Sequence, residues 1–178
     1  MTDPRTSLFA RDFDDLEIGA RFVTQGRTLT ESDVGSFAGL TGDFHPQHVD
    51  AEWARASSFG ERIAHGMLVL SAAAGLVPLD PDRVIALRRI SDAVLKRPVR
   101  LGDTIHVEGS LESVREVSEE AGLARWRWRI VNQASETVAR ADVEVLWRRG
   151  APRPEGEPSA PAESLEASGA RETLVLPL

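Results

Sequence analysis

The residues best suited to chemistry lie in Thr41-Gly42-Asp43-Phe44-His45-Pro46-Gln47-His48 and, a short way on, in Ala64-His65-Gly66-Met67-Leu68. Asp43 and His48 are a carboxylate and an imidazole five residues apart. As a hydrogen-bonded acid and base pair on one loop they can hold a water and exchange its protons. Gly66 stands where an apolar helix should begin, and unpaired N–H groups and the positive dipole end there favour a developing oxyanion. Its missing side chain leaves room for a carbonyl to approach. Together these parts suit addition of water across a double bond conjugated to a carbonyl.

Each residue alone carries little weight, since a single Asp is commonly a turn or cap residue and a single His a surface or satisfied core residue. Their joint spacing, with the second motif following at a helix start, is what points to a site. Asp43, His45 and His48 also have the donor types of a zinc or iron centre. Such a centre would call for further ligands, so neither a metal nor another cofactor is expected. Arg125-Trp126-Arg127-Trp128-Arg129 interleaves cations with aromatics, as binders of single-stranded nucleic acid do. On a strand, however, the tryptophans face inward and the arginines outward, where Glu108, Glu112, Asp142 and Glu144 of neighbouring strands can pair with them.

The elements that must position the two motifs follow from periodicity. Residues 21–29 read as a first strand, and Thr30 with Asp33 forms a capping box at the start of a helix over residues 31–40. Residues 43–50 read as a structured loop, and Asp50 caps a short helix through Arg55. The main helix runs over residues 66–77 and is apolar all round (Met67, Leu68, Val69, Leu70, Ala72, Ala73, Ala74, Leu76), so it should be enclosed. A strand over residues 84–95 follows. From Ile105 onward the period becomes two, with Ile105, Val107, Leu111, Trp126, Trp128, Ile130, Val143, Val145 and Trp147 on one face. The expected architecture is α+β, a curved antiparallel sheet wrapped around one long apolar helix.

Composition agrees with a single core. The chain has 178 residues, 42% of them hydrophobic, which suits one domain over residues 1–150. Residues 151–178 form a tail rich in Pro, Ala and Glu, whose apolar end from Thr173 is expected to dock on the body or a neighbour. A net charge of −7 argues against general nucleic-acid binding. Without cysteine there is no disulfide framework, and the residues after Met1 lack an apolar signal core, so a cytoplasmic location is expected. Residues 67–78, interrupted by Ser71 and Gly75, are too short to span a membrane.

The motif from Phe37 to His48, then Ile63-Ala64-His65-Gly66-Met67-Leu68, then Arg97-Pro98-Val99-Arg100-Leu101-Gly102-Asp103-Thr104 resemble the MaoC-like dehydratases, which include the (R)-specific enoyl-CoA hydratases. The likeness covers about residues 14–148. It implies the hot dog fold, a homodimer with the thioester tunnel at its interface, and a substrate that is an acyl-CoA or acyl carrier protein thioester. It also implies that Asp43 and His48 hold the catalytic water, that the Gly66 N–H serves the oxyanion hole, and that the 3-hydroxyl has R stereochemistry. Around these, His45, His65, Met67, Phe37 and Phe44 are expected to contact substrate, while Arg97, with Arg88, Arg89 and Lys96, meets phosphates or an acidic carrier. Two departures stand out: the family places Asn where this chain has His45, and an aliphatic residue where it has Gln47, which is expected to face solvent. Two alternatives are a hot dog thioesterase and a non-catalytic acyl-thioester binding or assembly subunit.

Overall fold

The computed structural model describes residues 8–150 and the backbone of a strand at Leu174–Leu176. The remainder of the expected tail, and residues 1–7 with the stretch read as lacking a signal core, lie outside the described residues.

Strand β1 (Arg21–Thr24) and strand β2 (Arg27–Thr28) replace the single strand expected over residues 21–29. Helix α1 (Glu31–Thr41) opens on the anticipated capping box, in which the Thr30 side chain accepts from the Asp33 N–H and Asp33 accepts from the Thr30 N–H. It ends at Gly42 in the left-handed conformation, φ 77°. What the sequence reads as loop contains the one-turn helix α2 (Pro46–Val49). Proline at a first helical position loses no hydrogen bond there, and the His45 side chain supplies the cap, a role for which histidine is an uncommon choice. Asp50 Oδ1 accepts from the Glu52 and Trp53 N–H groups and so starts α3 (Ala51–Ala56) as expected. Helix α4 (Gly66–Leu76) is followed by the long strands β3 (Val84–Leu95), β4 (Thr104–Glu116), β5 (Ala121–Asn132) and β6 (Thr137–Arg148), and finally β7 at Leu174–Leu176.

These strands form one sheet of order β3-β6-β5-β4-β1-β7, with β2 paired to β4. All pairings are antiparallel except β1 with β7. The apolar end of the tail therefore lies along β1, with Phe22 opposite Leu174. The period-two pattern holds: Ile105, Val107, Leu111, Trp126, Trp128, Ile130, Val143, Val145 and Trp147 are all buried against α4 and the N-terminal segment. Gly109 interrupts that inward row because the Phe22 ring occupies its side-chain space, and a Cβ there would come within 2.1 Å of the ring. Phe9, Phe22, Trp126 and Trp147 complete an aromatic cluster with centroid separations of 5.0–6.2 Å. The layout is the hot dog fold expected from the resemblance.

One expectation needs correction. Helix α4 is enclosed on one flank only: Leu68, Val69, Ala72, Ala73 and Leu76 are buried, whereas Met67 is 61% exposed and Ser71 and Gly75 share its side. The sheet curls around the first flank, and β3 at its edge leaves Ile85, Leu87, Ile90, Val94 and Leu95 exposed.

On the outer face the arginines behave as solvated partners. Arg129 reaches Glu108 at 2.9 Å, and Arg127 reaches Glu112 at 3.3 Å and Asp142 at 3.1 Å. Arg125 also pairs with Asp142, while Glu144 turns to Arg89 instead. Burial alone would push the Asp142 carboxyl up, but hydrogen bonds from Arg127 and Arg125 outweigh it and hold the group below its ordinary value of 3.8. Ionised Asp142 thus stabilises the fold above the unfolded-state pKa of about 3.9, and the contribution fades as pH falls through the lower folded value. Asp142→Asn should cost about 1.5 kcal/mol in urea unfolding at neutral pH, limited by the openness of both guanidinium groups. The difference from the parent protein should close in strong acid; a cost that persists there would contradict this account.

Candidate functional site

The loop after α1 and the starts of α2 and α4 meet at one cavity of about 640 Å³. Its lining includes Asp43, His48, His65 and Gly66, with Phe37, Phe59, Met67 and Leu95 as apolar wall and Lys96 and Arg97 at the end of β3. The main chain of Ile63 draws these parts together. Its N–H donates to the Gln47 carbonyl at 3.1 Å, and its carbonyl accepts from His48 Nδ1 at 2.7 Å. The next residue, Ala64, donates its N–H to the Val99 carbonyl at 2.8 Å, so the approach to α4 is tied to the segment after β3 as well.

His48 is only 4% exposed. A carbonyl can only accept, so Nδ1 carries the ring hydrogen and Nε2 of the neutral ring is the bare, basic nitrogen. Burial holds this imidazole below its ordinary 6.5, and nearby His65 and His45 act the same way; the Ile63 hydrogen bond and the Asp43 carboxylate oppose them. His65, 2% exposed, donates from Nε2 to the Asp43 carbonyl at 3.0 Å and stacks on His48 with centroids 3.8 Å apart. Phe37 lies against His65 at 5.1 Å. His65 therefore fixes both Asp43 and the plane of His48.

Asp43 and His48 are not hydrogen-bonded to each other, contrary to expectation. Asp43 Oδ1 accepts from the His45 N–H at 3.2 Å, and both His48 nitrogens already have partners. Instead, donor-type atoms of Asp43, His48 and His65 lie within 4.8 Å of one another. Two hydrogen bonds of about 2.8 Å meeting at one oxygen span such a gap, so the spacing suits a water held between acid and base. The same set has the donor types for a cation. The rings of His48 and His65, however, are stacked at an interplanar angle of 27°, so their in-plane lone pairs run side by side rather than converge.

Of the expected substrate-contacting residues, Phe37, His65, Met67 and Arg97 line the cavity. Phe44 stands outside it, 59% exposed, and His45 caps α2 with its ring against Trp53 at 5.5 Å. Arg88 and Arg89 lie exposed on β3, away from the lining residues. Gln47, expected to face solvent, lines the cavity with its amide nitrogen 3.0 Å from His48 Nε2. Only the one-turn helix begun at Pro46 brings that side chain back onto its neighbour, a turn that periodicity over four residues cannot reveal.

Gly66 is the first residue of α4, where N–H groups lack helical acceptors. Leu95 of β3 fills the space beside it: a Cβ on Gly66 would come within 2.1 Å of Leu95 Cδ1. Gly66→Val should therefore lower the thermal midpoint, and less so in a Leu95→Ala background, with a coupling above about 0.5 kcal/mol. Additive midpoints would show that the two residues do not compete for this space.

The family profile described as a MaoC like domain matches residues 15–126. The chain is similar to "Protein MaoC" from Klebsiella aerogenes, 36% identical over 139 residues, which covers 73% of this chain and 42% of that protein. It is 36% identical over 96 residues to an "(R)-specific enoyl-CoA hydratase" from Rhodospirillum rubrum, covering 52% of this chain and 64% of the relative. The matched region thus spans less than two-thirds of the length of either relative. Among solved structures, one titled a monoamine oxidase regulatory protein from Archaeoglobus superposes with a TM-score of 0.75 at 37% identity, covering 79% of this chain and 96% of that one. With the fold, the paired motifs and the profile in agreement over most of its described length, the chain belongs to the MaoC-like dehydratase family.

Proposed function

We propose that the protein hydrates trans-2-enoyl thioesters to (R)-3-hydroxyacyl thioesters, or runs the reverse dehydration. The observation that carries this assignment is the convergence of Asp43 and His48 beside the Gly66 helix start in one partly apolar cavity. The water oxygen bonds to C3 while the Asp43 and His48 pair takes its proton, and the pair returns a proton to C2. Between those events the thioester oxygen carries enolate-like charge, which the Gly66 N–H and the α4 dipole stabilise. Because the steps are microscopically reversible, the same groups expel water from a 3-hydroxyacyl thioester. The name of the Rhodospirillum relative supports the acyl-CoA class and the R configuration.

Phe37, Phe59, Met67 and Leu95 suit an acyl chain, and Lys96 and Arg97 suit a phosphate of coenzyme A or the acidic surface of a carrier protein. A second copy of the chain completes the cavity wall. Strand β3 is a twelve-residue edge with exposed Ile85, Leu87, Ile90, Val94 and Leu95, and edges this long and apolar invite pairing. Pairing of two such edges would cover this patch and the open flank of α4 at Met67, next to Leu95. In sedimentation the protein should run as a dimer, and Ile90→Arg should shift it toward monomer with loss of turnover. A stable, active monomer would refute the shared interface.

Loss of enoyl-thioester absorbance with crotonyl-CoA and a longer trans-2-enoyl-CoA tests the reaction, with the configuration of the product resolved. Asp43→Asn should retain the fold and lose about a hundredfold or more of turnover. A nearly unimpaired variant removes Asp43 from the mechanism. Release of free thiol would indicate a thioesterase instead, and binding without turnover would indicate a binding subunit.

A further inference from the structure

We propose that Gln47 is a positioning residue for the base, its amide holding His48 Nε2 and yielding that nitrogen to the reacting water. This inference rests on the hydratase assignment for its kinetic consequence, but the contact itself does not.

The geometry leaves little choice of roles. Because His48 Nδ1 donates to the Ile63 carbonyl, Nε2 of the neutral ring can only accept, and the Gln47 amide nitrogen at 3.0 Å is its donor. The main chain of Gln47 is held on both sides: its N–H donates to His45 Nδ1 at 3.3 Å and its carbonyl accepts from the Ile63 N–H at 3.1 Å. Only the side-chain torsions are free to move. The amide therefore keeps the basic nitrogen in plane and engaged until a better-placed partner arrives. A water held between Asp43 and His48 must donate to the same lone pair, so water and amide exclude each other there. An aliphatic side chain at this position, as the family pattern has it, can neither hold nor release the nitrogen.

A donor to the bare nitrogen stabilises the neutral ring against the imidazolium. The other ionisable groups facing His48 are Asp43 from the loop after α1, His45 and His65 from the starts of α2 and α4, and Lys96 and Arg97 from the end of β3. None of them changes when Gln47 is replaced. Removing the amide should raise the affinity of His48 for a proton in the free protein, and leave it unchanged once substrate and water have displaced the amide.

The test compares wild type with Gln47→Leu and Gln47→Glu, following the acidic limbs of kcat/KM and of kcat with crotonyl-CoA. In parallel, the His48 imidazole is titrated by NMR in the unliganded proteins. In Gln47→Leu the acidic limb of kcat/KM and the NMR titration should both move up by roughly half a pH unit to one unit, the size of one net hydrogen bond to the neutral ring. The limb of kcat should stay in place. Gln47→Glu, which offers an acceptor only, should move the free-protein titration further up. An unmoved His48 titration in both variants would overturn the proposal, as would equal movement of both kinetic limbs, which would mean that the amide never leaves. If wild type hydrates no substrate, the hydratase assignment fails instead, and the NMR titration alone decides whether Gln47 governs the imidazole.

Discussion

The two hydrogen bonds made by the main chain of Ile63 are the constraint on which the site depends. One ties the backbone of α2 to the approach to α4, and the other fixes which nitrogen of His48 is basic. Without the first, the carboxylate and imidazole motif and the glycine motif would be separate loops on one protein. Without the second, His48 could present either nitrogen to the cavity, and which of the two is basic would be undefined. The main chain of a single residue thus draws the two motifs into one site, and the Ala64 bond to Val99 extends the tie to the end of β3.

The remainder of the fold serves to keep that stretch of main chain dry and still. Trp126, Trp147, Phe22 and Phe9 pack the sheet onto the inner flank of α4, and rigid packing there sets where the helix begins. Desolvation is the consequence that matters chemically. It pushes His48 toward the neutral, basic form, while the hydrogen bond to Ile63 offsets part of that cost without charging the ring. His65 performs a complementary task by stacking on His48 and tethering the Asp43 backbone, which leaves the Asp43 carboxylate exposed to the cavity.

Much of this was legible in the residues because it rests on local rules. The alternation of Trp126, Trp128 and Ile130 with Arg125, Arg127 and Arg129 assigned both faces of β5, and Thr30 with Asp33 marked the start of α1. What escaped was set by tertiary placement. A one-turn helix begun by Pro46 has no period to detect, so the sequence alone leaves Gln47 facing solvent although it lies against His48. The apolar surround of α4 implied complete enclosure, yet composition cannot say whether a face is covered by the same chain or by a second one. The hydrogen bond expected between Asp43 and His48 failed for a related reason: spacing brings two groups near each other but does not reveal the closer partners that each will take.

The contact between Leu95 and Gly66 joins these themes. Leu95 belongs to the edge strand yet fills the space left by the missing Gly66 side chain, so the start of α4 and the exposed sheet edge share one side chain. Any surface laid along β3 bears on Leu95 and, through it, on the width of the cavity at the helix start. A glycine there leaves open the space that Leu95 occupies. The Gly66 Cα and the His48 Nε2 are thus each met by a neighbouring side chain, Leu95 in the one case and Gln47 in the other.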